Sequence, residues 1–306
     1  SLEASVARQT LDLFRHYMND LEKQGRLNRQ LERLPSDKAL LERKANDMPL
    51  TRPEIAMLLA YCKMYLKQDI LASDVPEDPY YTKFLLTAFP KQLGEKYYDY
   101  MQRHSLRREI ISTQLCKSIT DRMGINFVER LQRETGASTA FIIRAFSVAE
   151  RIYGLEEMWH DIQALNTKVD QATQFSMMLK IYYLIRRATR WVLRNRKPNL
   201  NIQETIDLFL PPVEKIAQII PAFLNEADRD MYEAAIAAYV EKGVPEKLAT
   251  RMSVSLLLFT ALDVAEAARK AELDLAEVTQ AYYILGNRLD LNWIKEAMNQ
   301  FKTENQ

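Results

Sequence analysis

Two patterns of side chains in this 306-residue sequence have the type and spacing to do chemistry. Glu157-Met158-Trp159-His160 sets a carboxylate and an imidazole three residues apart, on one face of a helix. Di-iron bundles use that pair, but they repeat it and add two further carboxylates. The other histidines, His16 and His104, have no acidic residue three positions before them, so the pair reads as ordinary surface side chains and no metal ligand is assigned. The second pattern is Arg186, Arg187, Arg190, Arg194, Arg196 and Lys197, six positive charges within twelve residues. Arg186, Arg190 and Arg194 share a helix face. Phosphate or nucleic-acid contact and an ion-paired contact with an acidic protein surface are two roles for such a patch. A third is a module that senses an amino acid or a nucleotide. The plainest is a solvated helix end whose charge complements the C-terminal dipole.

Weaker candidates follow the same logic. Asp74, Glu77 and Asp78 could hold a cation, although Asp78 is better placed to cap a helix starting at Pro79. ETGASTAFIIRAF has the spacing of a helix-turn-helix. A recognition helix, however, presents polar and basic residues to the groove, and this one offers mainly Arg144 and Arg151. Cys62 and Cys116 lie among apolar residues, where an inert buried thiol is expected. Tyr80-Tyr81, Tyr97-Tyr98 and Tyr182-Tyr183 read as core or interface aromatics.

Composition limits what such groups could serve. Hydrophobic residues make up 47% and charged residues 27%, the proportions of a soluble globular protein. Lys plus Arg (42) nearly balances Asp plus Glu (41), a net charge of +1, whereas a nucleic-acid or anionic-membrane binder carries a basic excess. Neither partner is expected. The longest apolar run, Val254 to Leu262, is interrupted by Ser255 and Thr260 and falls short of the roughly 20 residues of a membrane span. The first residues lack the basic-then-apolar layout of a signal peptide. Two cysteines exclude a disulfide framework and suit a reducing cytoplasm. The seven glycines decide most. No two lie closer than Gly124 and Gly136, and a dinucleotide fingerprint or phosphate loop needs two or three within about six positions.

The elements that must position any site read as helices throughout. The spacing predicts helices over 2–24, from Asp37 to about Asn46, and from Thr51 to Leu71. Thr51 and Glu54 form the last one's capping box. The charged stretch 20–47 reads as an exposed connector. From Arg103 to Leu155, one helix ends at Gly124 and a short one at Gly136. A third, capped by Ser138, has an apolar face broad enough for the centre of a bundle and closes at Gly154. A helix from Leu155 to about Asn166 follows, then one from Asp170 to Arg196. Pro198, Pro211-Pro212 and Pro221 mark the best boundary, because proline disfavours helix continuation. Four more helices follow, broken near Gly243-Val244-Pro245, between Ala271 and Asp274, and at Gly286. No segment alternates with period two for long enough to be a strand. The expected fold is all-α, a multi-helix bundle of two helical subdomains.

With the helices placed, a resemblance appears. GRLNRQLERLPSD (25–37), LTRPEIAMLLAYCKMYLKQDILASDVPEDPYY (50–81), RREIISTQL (107–115), FVERLQRETGAS (127–138) and ATRWVLRNRKP (188–198) occur in that order. Together they resemble the C-terminal helical region of the large bacterial NAD-specific glutamate dehydrogenases, over about residues 20–200 and fading after Leu210. The resemblance implies a parent enzyme that oxidises glutamate to 2-oxoglutarate and ammonia with NAD. That family's catalytic lysine, substrate-binding residues and glycine-rich cofactor turn belong to a segment upstream of this one. No residue here matches them, so no catalytic or cofactor-binding residue is carried over, and the chain alone is not expected to be an enzyme. The resemblance further implies a C-terminal fragment in which 1–50 connects from the catalytic domain, 51–198 forms the main bundle and 199–306 a C-terminal subdomain. Its expected partners are the catalytic domain, whose acidic surface the arginines would meet, and other subunits of a cytoplasmic homo-oligomer.

Overall fold

A computed structural model describes residues 2–288 and contains only helices and turns there. In order these are α1 (Leu2–Lys23), α2 (Asp37–Ala45), α3 (Arg52–Leu71), α4 (Lys83–Thr87), α5 (Lys91–Lys96), α6 (Tyr98–Gln102), α7 (Arg107–Met123) and α8 (Phe127–Thr135). Next come α9 (Thr139–Ile152), α10 (Leu155–Gln163), α11 (Gln171–Asn195), α12 (Ile202–Phe223), α13 (Glu226–Glu241), α14 (Glu246–Leu257), α15 (Ala261–Ala271) and α16 (Leu275–Arg288). The described chain divides into two compact units, residues 2–143 and 144–288. The all-α expectation holds.

In the first unit α3 lies along α7. Leu58, Cys62, Leu66 and Ile70 are buried at i+4 spacing on one helix, and Ile111, Leu115, Ile119 and Met123 on the other. Each buried aliphatic side chain is worth roughly 1.5–3 kcal/mol, so this seam outweighs any local preference. The capping box is present: the Thr51 hydroxyl accepts from the Glu54 amide, and the Glu54 carboxylate accepts from the Thr51 amide at 2.7 Å. The segment after Asp78 differs from expectation. It starts as a tight 3-10 turn, Pro79–Thr82, before α4, and Asp78 accepts from the Tyr80 amide at 3.0 Å.

The stretch 20–47 is not the exposed connector its charge suggests. Leu21, Leu27, Leu34 and Leu40 are buried, and so is Arg29. Its guanidinium donates to Glu22 (2.9 Å), Asp37 (2.9 Å), the Pro35 carbonyl (3.3 Å) and Asn19. That hub holds the Asp37 carboxyl below its ordinary range, chiefly through the hydrogen bond from Arg29. A charged segment is thus folded around one buried cation rather than left in solvent.

In the second unit α11 buries Met177, Ile181, Leu184, Ile185, Ala188 and Val192. Phe175, on the same helix, is 47% exposed. The prolines do not interrupt α12. Pro211, Pro212 and Pro221 lie inside it, because six apolar side chains (Ile202, Ile206, Phe209, Val213, Ile216, Ile220) are buried along one stripe. At roughly 1.5–3 kcal/mol each they outweigh three prolines at about 3 kcal/mol each. Asp207 and Leu208, whose carbonyls lose their donors to Pro211 and Pro212, are exposed, so water serves them. Gly286 likewise lies within α16, which runs to Arg288; the last expected helix falls outside the described residues. The stretch Glu246–Ala271 has the length and composition of a membrane span. Its apolar window is 72% buried inside the protein and it is broken by the turn Leu258–Thr260. It is a core element.

Gly136 has φ 69° and ψ 7°, the left-handed C-cap expected of it, and Gly154 has φ 58°. Gly124 also has positive φ but ψ 178°, an extended glycine-only turn rather than a left-handed cap. A Cβ at Gly136 would meet nothing within 4 Å, whereas one at Gly154 would lie 3.1 Å from the Arg251 guanidinium. Gly136→Val should therefore cost roughly 1–2 kcal/mol from backbone strain alone, and Gly154→Val more. Thermal denaturation of both variants checks the order; equal melting temperatures would show that neither turn is under this constraint.

Candidate functional site

The arginine-rich end of α11 does not form one patch. Arg186 is buried and lies over the rings of Tyr182 (5.8 Å) and Tyr183 (5.2 Å). The Arg187 Nε donates to the Phe259 carbonyl at 3.0 Å. Arg196 forms a two-pronged pair with Glu266 on α15, at 2.8 and 3.3 Å, and stacks on Phe209 (4.7 Å) and Trp191 (5.2 Å). The Trp191 indole N–H donates to Asp263 at 2.6 Å. Arg194 and Lys197 are exposed, and Arg190 is partly buried. The residue types that suggested anion binding are thus divided between internal braces and the surface.

Glu266 is the electrostatic centre of this end. Only 8% of its side chain is exposed, and Arg196, Arg269 and Lys270 surround it at 2.8–3.3 Å. Burial opposes its ionisation, but the hydrogen bonds from Arg269, Arg196 and Lys270 overcome this and hold its pKa down to about 2. The i+3 and i+4 partners were legible in AEAARKA; Arg196, 70 residues away, was not.

A second acid in the first unit behaves oppositely. Glu129 on α8 shares a hydrogen bond with Asp20 on α1. Arg133 lies 3.2 Å from Glu129 and 3.8 Å from Asp20. Burial, and then the bond to Asp20, push the Glu129 carboxyl up to about 7. The cleft it lines, with Tyr17, Arg26, Cys62 and Gln132, holds about 60 Å³, room for a few waters.

The remaining sequence candidates are placed as follows. Glu157 and His160 are both exposed, and Glu157 pairs with Arg251 at 3.7 Å. No group of three metal-binding side chains occurs among the described residues. Glu77 is taken by Arg107 (3.0 Å) and Arg108. Arg144 is buried, as is every residue from Phe141 to Glu150, so this face of α9 is not offered to a groove. The Cys62 thiol donates to the Ile125 carbonyl (3.3 Å) and that of Cys116 to Lys63 (3.4 Å). Burial pushes their pKa values up to about 11 and 12, which keeps them protonated. Tyr81 is fully buried, while Tyr97 and Tyr98 are each 41% exposed.

Tyr97-Tyr98, read from the sequence as core or interface, belong to an exposed surface whose other residues the sequence did not single out. The short helices α4, α5 and α6 pack on one another and leave Leu86, Leu93, Tyr97, Tyr98, Tyr100 and nearby Leu106 exposed, Tyr100 by 71%. Tyr97 and Tyr100 meet edge to face at 6.1 Å. Exposed apolar groups of this density mark contact surfaces.

No strand occurs among the described residues, and the seven glycines are dispersed. The strand–turn–helix cradle that binds a dinucleotide pyrophosphate has no counterpart among the described residues. Fold and site together define an all-helical region. The family description "Glutamate dehydrogenase, C-terminal" matches residues 47–306, and the chain belongs to that family. It is 37% identical over 297 residues to the NAD-specific glutamate dehydrogenase of Halomonas elongata, covering 97% of this chain and 18% of that protein. It is 37% identical over 305 residues to the enzyme of that name from Pseudomonas aeruginosa (100% and 19%). Against the one from Mycobacterium tuberculosis it is 32% identical over 274 residues (90% and 17%). The chain thus spans less than a fifth of the length of these bacterial relatives.

Two acids give opposite pH predictions. Folding favours ionised Glu266, so its stabilisation is complete above the ordinary value of 4.5 and is lost as pH falls toward about 2. Glu266→Gln should cost roughly 2–4 kcal/mol at neutral pH, with wild-type and variant stabilities converging in acid. Folding favours protonated Glu129, so its stabilisation is complete below 4.5 and lost as pH rises to about 7, by at most about 1.4 kcal/mol per pH unit. Glu129→Gln should flatten that decline in urea denaturation; a slope equal to wild type would exclude Glu129 as its source.

Proposed function

We propose that this chain is the helical scaffold and interaction region of an NAD-specific glutamate dehydrogenase. The whole enzyme would deaminate L-glutamate oxidatively to 2-oxoglutarate and ammonia with NAD, in the bacterial cytoplasm. The catalytic lysine and the nucleotide site would lie elsewhere in the longer polypeptide. The observation that carries this reading is the exposed aromatic surface of α4–α6, in a chain whose buried charges Arg29 and Glu266 are engaged in internal ion pairs. Its occupant would be the catalytic domain or a neighbouring subunit of a homo-oligomer. Ligand sensing by the 186–197 cluster is the weaker reading, because Arg186 and Arg196 are engaged internally.

The test is Tyr100→Glu with Leu93→Glu in the full-length dehydrogenase. Both side chains are exposed, so the variant should fold with an unchanged melting temperature in this chain alone. In the full-length enzyme, light scattering should show loss of assembly, or limited proteolysis should show release of the C-terminal region, with activity reduced at least tenfold. Wild-type assembly and activity would refute the reading. The isolated chain should produce no NADH from glutamate and NAD.

A further inference from the structure

The second unit has an open cavity of about 670 Å³ among α9, α10, α11, α12, α13 and α14, within the roughly 300–1,000 Å³ range of small-molecule sites. Its floor is apolar, formed by Leu184, Leu210, Val213, Val254 and Leu258. Its cationic groups are Arg151 at the α9–α10 corner and Arg251 on α14, and Glu157 lines the cavity beside them. The Arg251 guanidinium donates to the Gly154 carbonyl at 3.1 Å. Its ion pairs, 3.7 Å to Glu157 and 3.8 Å to Asp161, are long and involve carboxylates that are 73% and 52% exposed. Such pairs neutralise little of the charge. Arg151 is exposed, and its side chain makes no hydrogen bond or ion pair among the described residues.

The facing contribution comes from α12. Glu214 and Gln218 line the cavity, and Glu214 likewise has no ion-pair partner among the described residues. An independent feature of the backbone adds an acceptor. Pro221 has no N–H, so the Ala217 carbonyl has lost the helical donor four residues on, and both residues line the cavity. The donorless carbonyls opposite Pro211 and Pro212 belong to exposed residues, whereas this one belongs to a cavity wall.

We propose that this cavity binds a small zwitterion with an apolar body. Its carboxylate would be held by Arg151 and Arg251, its ammonium by Glu214 and the Ala217 carbonyl, and its hydrocarbon by the Leu and Val floor. An α-amino acid with a long unbranched side chain and a short apolar peptide share this chemistry. The site is independent of the α4–α6 surface and stands whether or not that surface makes subunit contacts.

Calorimetric titration of the full 306-residue chain at neutral pH tests it, with 2-aminooctanoate and leucyl-leucine as zwitterions and octanoate and octylammonium as controls. One zwitterion should bind at one per chain, and the tighter of the two identifies the source. Octanoate and octylammonium should each bind at least tenfold more weakly, since each lacks one charged contact. Arg151→Gln and Glu214→Gln change exposed side chains and should leave the melting temperature unchanged while weakening zwitterion binding about tenfold, or 1.4 kcal/mol. Ala217→Trp should abolish it. The proposal is overturned if neither zwitterion binds, if octanoate or octylammonium binds as tightly, or if the Arg151 and Glu214 variants retain wild-type affinity.

Discussion

Every helix here must cover its apolar stripe with another helix, and that constraint governs the rest of the structure. Its strength is clearest in α12, where a continuous buried stripe carries the helix through three prolines. The cost of each proline is partly local, a lost hydrogen bond and a steric clash, and partly a carbonyl left without a donor. Where that carbonyl is exposed, solvent answers it. Where it belongs to the wall of a cavity, as at Ala217, it becomes an acceptor for something else. One rule therefore accounts both for the persistence of the helix and for an added acceptor in the wall of a cavity.

Charge in this protein is mostly structural. Arg29 gathers a loop, Arg196 ties α11 to α15 through Glu266, and Glu129 shares a hydrogen bond with Asp20. Of these, Arg196 alone stood out in the sequence as chemistry, within the charged run 186–197. Their environments show how similar residue types diverge. Glu266 is surrounded by cations and stays ionised far into acid, while Glu129, against another acid, is pushed toward neutrality.

Two features stand out among the described residues: the aromatic face of α4–α6 in the first unit and the cavity in the second. The first exposes rings beside aliphatic side chains. The second combines an apolar floor with Arg151, Arg251, Glu157 and Glu214 on its walls.

The sequence by itself determined the helical class, most helix ends and the family, because these rest on short-range chemistry. The Thr51 capping box, the Asp170 and Ser138 caps and the left-handed glycine at 136 act over a few residues, and the i+4 apolar spacing of α3 and α7 is readable by eye. It also showed that no glycine-rich dinucleotide fingerprint occurs in the chain. Only the tertiary structure decided which charges are spent internally, since Arg196 and Glu266 are 70 residues apart. The same holds for the passage of α12 through its prolines, the burial around Arg29 and the Tyr100 surface. Each depends on what another helix covers or leaves open, and a linear pattern records the propensity of a segment but not the face its neighbour occupies.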